Sequence, residues 1–552
     1  MSAPAFLSTA RLLEGTWQEF ERDCARLMLF NGFESVRVVG GPGDQGADVL
    51  AFKSGELWVV QCKFTSSASA PRTAVDELLT AGRSYVAQQL MLATSRNVSA
   101  SVRDEVARLG QRGLQIICAG PRELVGQANQ SPEFPPCRKQ LRDYQLESVS
   151  AMSDAMIDTG RALAVLATGL GKTVVMSEAV LTFLEEGRLE HGRALVLAHT
   201  KDLVNQLHMS FMEQMPKWVR LNQLSDGERP SSWDGITFAT IQSVLPRLSE
   251  MPAIDLVAID EAHHAGAESF QQALHEIDPK YRLGVTATPW RGDGYPIEDL
   301  LGTSAYSLGI VEGMKRGYLS EVDYRLLADD LDWEFVQANS RNKYSISQLN
   351  RRLLIPTRDD EAARQIVRVF NDEKRRRLIV FSPSILHARE FAAVLTRYGI
   401  GCDFVDSEMS PRDRALVLNR FRQGELKAIV TVDLFNEGVD VPDVDCVAFL
   451  RVTHSRRIFI QQLGRGLRVS AGKDRVVVLD FVSDLRRMAE VLRLDRSLKS
   501  SEVERVGLGN RLVSFVDNST GSLLREWILD QADLMSREGD PTLELPSNQD
   551  IL

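Results

Sequence analysis

Apolar residues occur in short unbroken runs along much of this chain, separated by stretches whose apolar positions recur every three or four residues. Such runs read as strands buried on both faces, and their alternation with helical stretches predicts parallel sheets covered by helices. Five runs lie in the middle of the chain: Ala162–Ala167, Ala194–Ala198, Ile236–Thr240, Leu256–Ile259 and Arg282–Thr286. Five more follow and imply a second sheet of the same kind: Leu378–Ser382, Cys402–Val405, Lys427–Val432, Cys446–Leu450 and Val476–Phe481. The front of the chain has another rhythm. A helix is expected from about Thr16 to Phe30, then a hairpin of strands Val49–Phe52 and Leu57–Lys63 turning at Lys53-Ser54-Gly55. After it come a helix near Thr73–Gln89, a strand Leu90–Ala93, a helix from Ser99 to about Gly110 and a strand Leu114–Ala119. Polar, proline-rich Gln127–Cys137 reads as a linker. The organisation expected is an α/β protein with a front domain at 1–130, a linker at 131–140, two sheet lobes at 141–325 and 326–500, and a tail at 501–552.

At 552 residues the chain has room for several full cores. A net charge of −10 argues against a uniformly basic nucleic-acid coat, though Arg351-Arg352, Arg375-Arg376-Arg377 and Arg456-Arg457 supply local basic clusters. Six scattered cysteines without a Cys-x-x-Cys pair suit reduced thiols rather than a disulfide framework or a zinc site. No apolar run is long enough to span a bilayer and no signal pattern opens the chain, so the expectation is a cytoplasmic protein without a membrane partner.

Candidate chemistry gathers at three places. Leu166-Ala167-Thr168-Gly169-Leu170-Gly171-Lys172-Thr173 joins a buried strand to a helix. A glycine turn there points unpaired N–H groups into one hollow, and the helix N-terminus adds partial positive charge, so Thr168, Gly169 and Gly171 suit a polyphosphate. Lys172 would reach its terminal phosphates and the Thr173 hydroxyl would ligate Mg²⁺. Asp260-Glu261-Ala262-His263 directly follows another strand, with Asp260 placed to share that Mg²⁺ and Glu261 to take a proton from an attacking water. In the front domain, Glu21 shares an apolar helix face with Trp17, Cys24, Ala25 and Met28, where a carboxylate is costly without a cation. Glu19 instead keeps company with Arg22, Asp23 and Arg26 on the polar face. The hairpin brings Asp48 beside Gln61 and Lys63, which point the same way along their strand. Carboxylates holding Mg²⁺ and a lysine steadying developing charge are what phosphodiester cleavage requires.

The phosphate loop and the Asp-Glu-Ala-His segment together resemble a superfamily-two helicase motor over about residues 138–485, and further motifs stand in the matching order. The resemblance implies two RecA-like lobes, ATP and Mg²⁺ as cofactors, and DNA as partner. It gives Arg142 and Gln145 an adenine-reading role, and Thr200 and Thr240 phosphate contacts on one strand. Thr286-Ala287-Thr288-Pro289 would couple hydrolysis to lobe motion. Gly438 and Asp440 fall in the motif that touches DNA and ribose, while Gln461, Arg465 and Arg468 lie on the arginine-finger helix. The front segment, about residues 12–125, resembles the Mrr-type restriction endonuclease domain of the PD-(D/E)xK superfamily. There the resemblance assigns Glu21, Asp48, Gln61 and Lys63 to the cleavage site, with Glu21 and Asp48 on the metal and Asp44 on the same pattern. Gln61 stands where many relatives carry glutamate, a better metal ligand. The combined expectation is a DNA-dependent ATPase, helicase or translocase with a Mg²⁺-dependent endonuclease, serving restriction, phage defence or DNA processing. Two other readings stay open: a repair translocase whose front domain binds without cutting, and a nucleotide-gated DNA-binding switch.

Overall fold

The computed structural model describes residues 5–39, 46–67, 71–225, 227–287, 297–326, 343–345, 359–406, 408–432, 444–450, 475–481, 513–515 and 542–544, with Ser69, Val469 and Lys473. Among these, three larger sheets and one short strand pair form. The first sheet runs in sequence order, β1 (Glu34–Val38), β2 (Val49–Lys53), β3 (Glu56–Lys63), β4 (Gln89–Thr94) and β5 (Ile116–Ala119). Its β1–β2–β3 part is antiparallel and its β3–β4–β5 part parallel. The hairpin forms as expected, with Val49 opposite Val60, so Asp48 sits just outside the ladder next to Gln61.

The second sheet holds β6 (Arg161–Leu166), β7 (Arg193–Ala198), β8 (Leu221–Leu224), β9 (Gly235–Thr240), β10 (Leu256–Asp260), β11 (Tyr281–Thr286) and β12 (Ser304–Leu308). All are parallel, in the order β12-β6-β11-β10-β7-β9-β8. That order places β6 and β10 on either side of β11, so their carboxyl ends open on one crevice. The third sheet contains β13 (Glu321–Leu326), and a separate pair is made by β14 (Lys343–Ser345) with the late strand Thr542–Glu544. β15 (Leu378–Phe381), β16 (Cys402–Val405), β17 (Ala428–Thr431), β18 (Cys446–Phe449), β19 (Arg475–Asp480) and β20 (Val513–Phe515) complete the third sheet, again parallel. β13 pairs with β19, so the second lobe's sheet already begins at Glu321.

The helix Trp17–Phe30 shows how the front domain meets the first lobe. Thr16 caps it in a reciprocal box with Glu19, which fixes where the helix begins. Its polar face, without an evident partner in the sequence, is buried: Glu19, Asp23 and Arg26 are 1%, 5% and 1% exposed, whereas Trp17 is 51% exposed. Arg26 donates to the carbonyls of Val219 at 2.7 Å and Pro216 at 2.8 Å. Arg11, from the short helix Thr9–Glu14, donates to Asp23 at 2.6 Å and reaches Asn222 and the Leu221 carbonyl at 3.3 Å. Arg22 pairs with Glu228 through both guanidinium ends, and Glu19 accepts from the Ser231 N–H and hydroxyl. The face is therefore polar because it docks on β8 and the segments on either side of it. Buried charges survive only when paired and hydrogen-bonded, and removing one partner costs about 3–5 kcal/mol. Arg26→Ala should accordingly lower the first thermal transition and open the junction to protease, whereas Trp17→Ala should change neither by more than about 0.5 kcal/mol.

His208 lies behind this junction, fully buried, stacked on Phe238 at 4.7 Å and bonded to Gln223 at 3.1 Å. Burial holds its imidazole well below the usual histidine range, and the positive charges of Arg22, Arg26 and Arg11 add to this. A depressed histidine is neutral when folded, so its contribution is complete above the unfolded value near 6.5 and is lost as pH falls below it. Acidification from pH 6.5 should cost about 1.4 kcal/mol per unit at this site. His208→Asn should flatten the acid limb of a plot of melting temperature against pH.

Candidate functional site

At the end of β6 the chain turns through Thr168 to Gly171 into the helix Lys172–Glu185. Gly169 and Gly171 take φ of 95° and 79°, a left-handed backbone that a side chain would strain. A Cβ on Gly171 would also stand 2.6 Å from Gln145 Nε2. Beneath the loop, Tyr144 and Gln145 both donate to the Leu170 carbonyl, at 2.8 and 3.0 Å. Gln145 Oε1 accepts from the Arg142 N–H at 2.9 Å. Tyr144 and Gln145 thus brace the loop, and the Arg142 N–H holds the Gln145 amide in place. Arg142 also donates to the Tyr318 carbonyl at 3.2 Å.

Across the crevice, β10 ends in Asp260, and Glu261 adopts a φ of 48°, unusual for a side-chain-bearing residue. The turn folds the Glu261 N–H back to Asp260 Oδ1 at 2.9 Å and aims the Glu261 carboxylate at Lys172 Nζ, 3.6 Å away. His263 Nδ1 sits 3.3 Å from Glu261 and 3.1 Å from the Thr286 hydroxyl, so one ring joins two of the motif segments. Burial and the neighbouring charge of Glu261 push the Asp260 carboxyl up to about 7. Burial acts in the same sense on Glu261, but Lys172 and the hydrogen bond with His263 outweigh it and hold that carboxyl at about 2. Two carboxylates side by side in low dielectric need positive charge, and Lys172 faces only one of them. The Thr173 hydroxyl and Asp260 offer the hard oxygen donors that Mg²⁺ takes, and Thr168 Oγ1 is a buried hydroxyl with no hydrogen-bond partner among the described residues. These residues fit a Mg²⁺–nucleotide. Thr200 and Thr240 cap the helices Lys201–Met212 and Ile241–Val244 by accepting from Leu203 and Ser243 N–H groups.

The front domain brings a second set of residues together. Asp48 is locked into the hairpin by its own N–H to the Val60 carbonyl at 3.0 Å. Asp48 Oδ2 accepts from Gln61 Nε2 at 2.7 Å and from the Cys62 N–H at 2.5 Å. Gln61 is 3% exposed and its Oε1 has no hydrogen-bond partner among the described residues. Glu21 comes from the Trp17 helix: burial, the hydrogen bond and charge of Cys24, and then the charges of Asp48 and Glu21 push the Cys62 thiol well up. Lys63 forms an ion pair with Glu77, which the sequence reading did not single out. Among the described residues no three His, Cys, Asp or Glu side chains gather as a ligand set. The donors present are carboxylate and amide oxygens, which suit a Mg²⁺ that keeps several waters and borrows one or two protein ligands. Gly438, Asp440, Gln461, Arg465 and Arg468 lie outside the described residues, as do Asp44, Thr288-Pro289 and the clusters Arg351-Arg352 and Arg456-Arg457.

Comparison with known proteins agrees with this geometry. The family described as "Type III restriction enzyme, res subunit" matches residues 138–291, "Helicase conserved C-terminal domain" matches 361–470, and "Restriction endonuclease" of the Mrr type matches 12–120. The Saccharomyces cerevisiae protein IRC3, named as an ATP-dependent helicase, is 24% identical over 62% of this chain and 51% of its own length. The DNA 3'-5' translocase XPB2 of Sulfurisphaera tokodaii is 27% identical over 60% of this chain and 79% of its own. The chain spans about half the length of the yeast relative. Among solved structures, the ATP-dependent Type ISP restriction-modification enzyme LlaBIII bound to DNA superposes with a TM-score of 0.50 at 16% identity, over 95% of this chain and 42% of that one. This likeness extends the shared fold across all three domains. Among the described residues no helix is long and apolar enough to cross a membrane. An α/β chain with a mixed-sheet front domain and two parallel-sheet RecA-like lobes, matched in this order by all three families, belongs to the superfamily-two helicases and carries an N-terminal Mrr-type restriction endonuclease domain.

Proposed function

We propose that this chain is an ATP-driven DNA translocase or helicase that brings DNA to a Mg²⁺-dependent endonuclease site, in restriction, phage defence or DNA processing. The observation that carries the motor half is the crevice itself. Lys172 and the Asp260–Glu261 pair face one another from the ends of two strands that flank β11. The loop amides and Lys172 bind the nucleotide's phosphates, and Glu261 orients the attacking water and draws its proton. Mg²⁺, held by Thr173 and Asp260, would neutralise charge building on the phosphate oxygens. His263 passes changes at Glu261 to Thr286, at the root of the segment expected to link hydrolysis with lobe motion.

For the nuclease half, Gln61 bonds Asp48 across one hairpin, Lys63 stands two residues further along the same strand, and Glu21 comes from the helix that docks on the first lobe. Lys63 steadies the charge that develops on the scissile phosphate, Asp48 and Glu21 would hold the metal with Gln61 beside them, and Mg²⁺ would supply a deprotonated water at neutral pH. The docked helix ties the cutting site to one motor lobe, so DNA drawn past that lobe reaches the hairpin from a fixed direction. The restriction-type family matches and the DNA-bound restriction enzyme of like fold support this reading.

The test is the purified full chain with Mg²⁺, with and without ATP, on plain and methylated plasmid and on branched and single-stranded DNA. DNA-stimulated release of phosphate from ATP together with Mg²⁺-dependent nicking is the expected result. Stimulated turnover with no cleavage of any substrate would leave a translocase whose front domain only binds.

A further inference from the structure

We infer that Glu77 positions the Lys63 ammonium of the front-domain site, supplying beside that lysine the negative charge that Gln61 lacks. This rests on reading the front domain as a nuclease. Lys63 and Glu77 form a direct ion pair, Lys63 from the last position of β3 and Glu77 from the helix Thr73–Tyr85. The helix is fixed against the site by more than this pair. Gly46, at a φ of 86°, leads into Asp48, and a Cβ there would meet Gln61 Oε1 at 2.9 Å and the Glu77 carbonyl at 3.0 Å. The backbone at Glu77 therefore packs on the loop that delivers Asp48, with only a glycine's thickness between them.

Charge balance gives the pair its purpose. Gln61 is neutral and spends Nε2 on Asp48. An ammonium at position 63 without a carboxylate of its own is drawn to Asp48, where it would occupy oxygens required for a cation. Glu77 holds it aside. The pair is also accessible, with side-chain exposures of 25% for Lys63 and 44% for Glu77, so an arriving phosphate can take Lys63 over. The sequence shows none of this, because the two residues meet only once the helix has folded back over the hairpin.

A bystander acid and a positioning acid predict opposite outcomes. Removing a bystander carboxylate from a DNA-facing surface tightens DNA binding and leaves or raises the cutting rate. Glu77→Gln is instead expected to slow single-turnover nicking by about 10–100-fold, since misplacing a catalytic group by an ångström costs about that much. DNA affinity measured with Ca²⁺ should stay within about threefold, by the same positioning argument. Glu77→Asp, which keeps the charge, should recover much of the loss. An independent readout is labelling of Lys63 by an amine-directed reagent in the full chain without DNA, followed by mass spectrometry. Lys63 should react several-fold faster in Glu77→Gln than in wild type, with other lysines unchanged. Wild-type nicking in Glu77→Gln, or equal labelling of Lys63, overturns the inference. If wild type cuts no DNA, the nuclease reading fails by itself, and the labelling ratio still decides whether Glu77 holds Lys63.

Discussion

Alanine at Lys172 will reduce DNA-stimulated ATP turnover by about 10²–10³-fold, the loss that accompanies removal of a preorganised donor from a developing oxyanion. Glutamine at Glu261 will reduce it by about 10²–10⁴-fold, the range for a positioned base. The two variants should differ in how they fail. Lys172 is one of the groups that meet the phosphates, so its loss weakens nucleotide binding as well as the chemical step. Glu261→Gln leaves the loop intact and removes charge from the buried acidic pair, so nucleotide should bind at least as tightly while turnover stops. Equilibrium binding of a fluorescent ATP analogue, run beside phosphate release, separates the two. Unchanged turnover in both variants would refute the motor, because no other described group pairs with Lys172 at the end of β10. Both variants should retain the nuclease domain's melting behaviour, since the front domain docks on β8 and the segments on either side of it, at the far edge of that sheet from the crevice.

How far the sequence reached depended on whether a residue's role is set by its neighbours in the chain or by distant ones. Strands buried on both faces must be apolar throughout, so β6, β7, β9, β10 and β11 are visible as runs, as are their counterparts in the second lobe. β8 is not, because its sequence is Leu-Asn-Gln-Leu. Asn222 accepts from Arg11 and Gln223 bonds His208, so two polar residues are buried for reasons that lie far away in the chain. Edge strand β12, Ser-Ala-Tyr-Ser-Leu, is half exposed and carries no such run. The helix Pro121–Gln130 enters the stretch read as a linker, although its Gly120-Pro121 start and Glu123, which accepts from the Gly120 N–H, were local signals of a helix N-terminus. The same division holds at the sites. The phosphate loop, Asp260, Glu261 and the Asp48–Gln61 contact follow from strand ends and hairpin register. Glu77 and the docked arginines do not, since helix-to-hairpin and domain-to-domain contacts leave no periodic trace.

Alanine at Asp48 will abolish Mg²⁺-dependent nicking while leaving ATP turnover at the wild-type rate. Asp48 is the residue on which the front site is hung: its carboxylate ties Gln61 and the Cys62 N–H together, and both lie directly before the lysine in β3. Removing it withdraws a metal-holding oxygen and leaves the buried Gln61 amide without that partner, so the expected loss is several kcal/mol of transition-state stabilisation, about 10³-fold or more. A buried amide stripped of its acceptor costs about 1–3 kcal/mol in folding as well, so Asp48→Asn is the sharper probe. Asparagine preserves an acceptor for the Cys62 N–H but not the charge, and it should be equally dead with an unchanged melting temperature. Lys63→Ala, at a partly exposed position, should likewise cost little stability and most of the cleavage. The result that decides the matter is the pairing of assays on each preparation. Lost nicking with intact DNA-stimulated ATPase places the chemistry in the hairpin. Nicking that persists in Asp48→Asn and Lys63→Ala, and vanishes only in Lys172→Ala, would move the cutting activity away from these residues altogether.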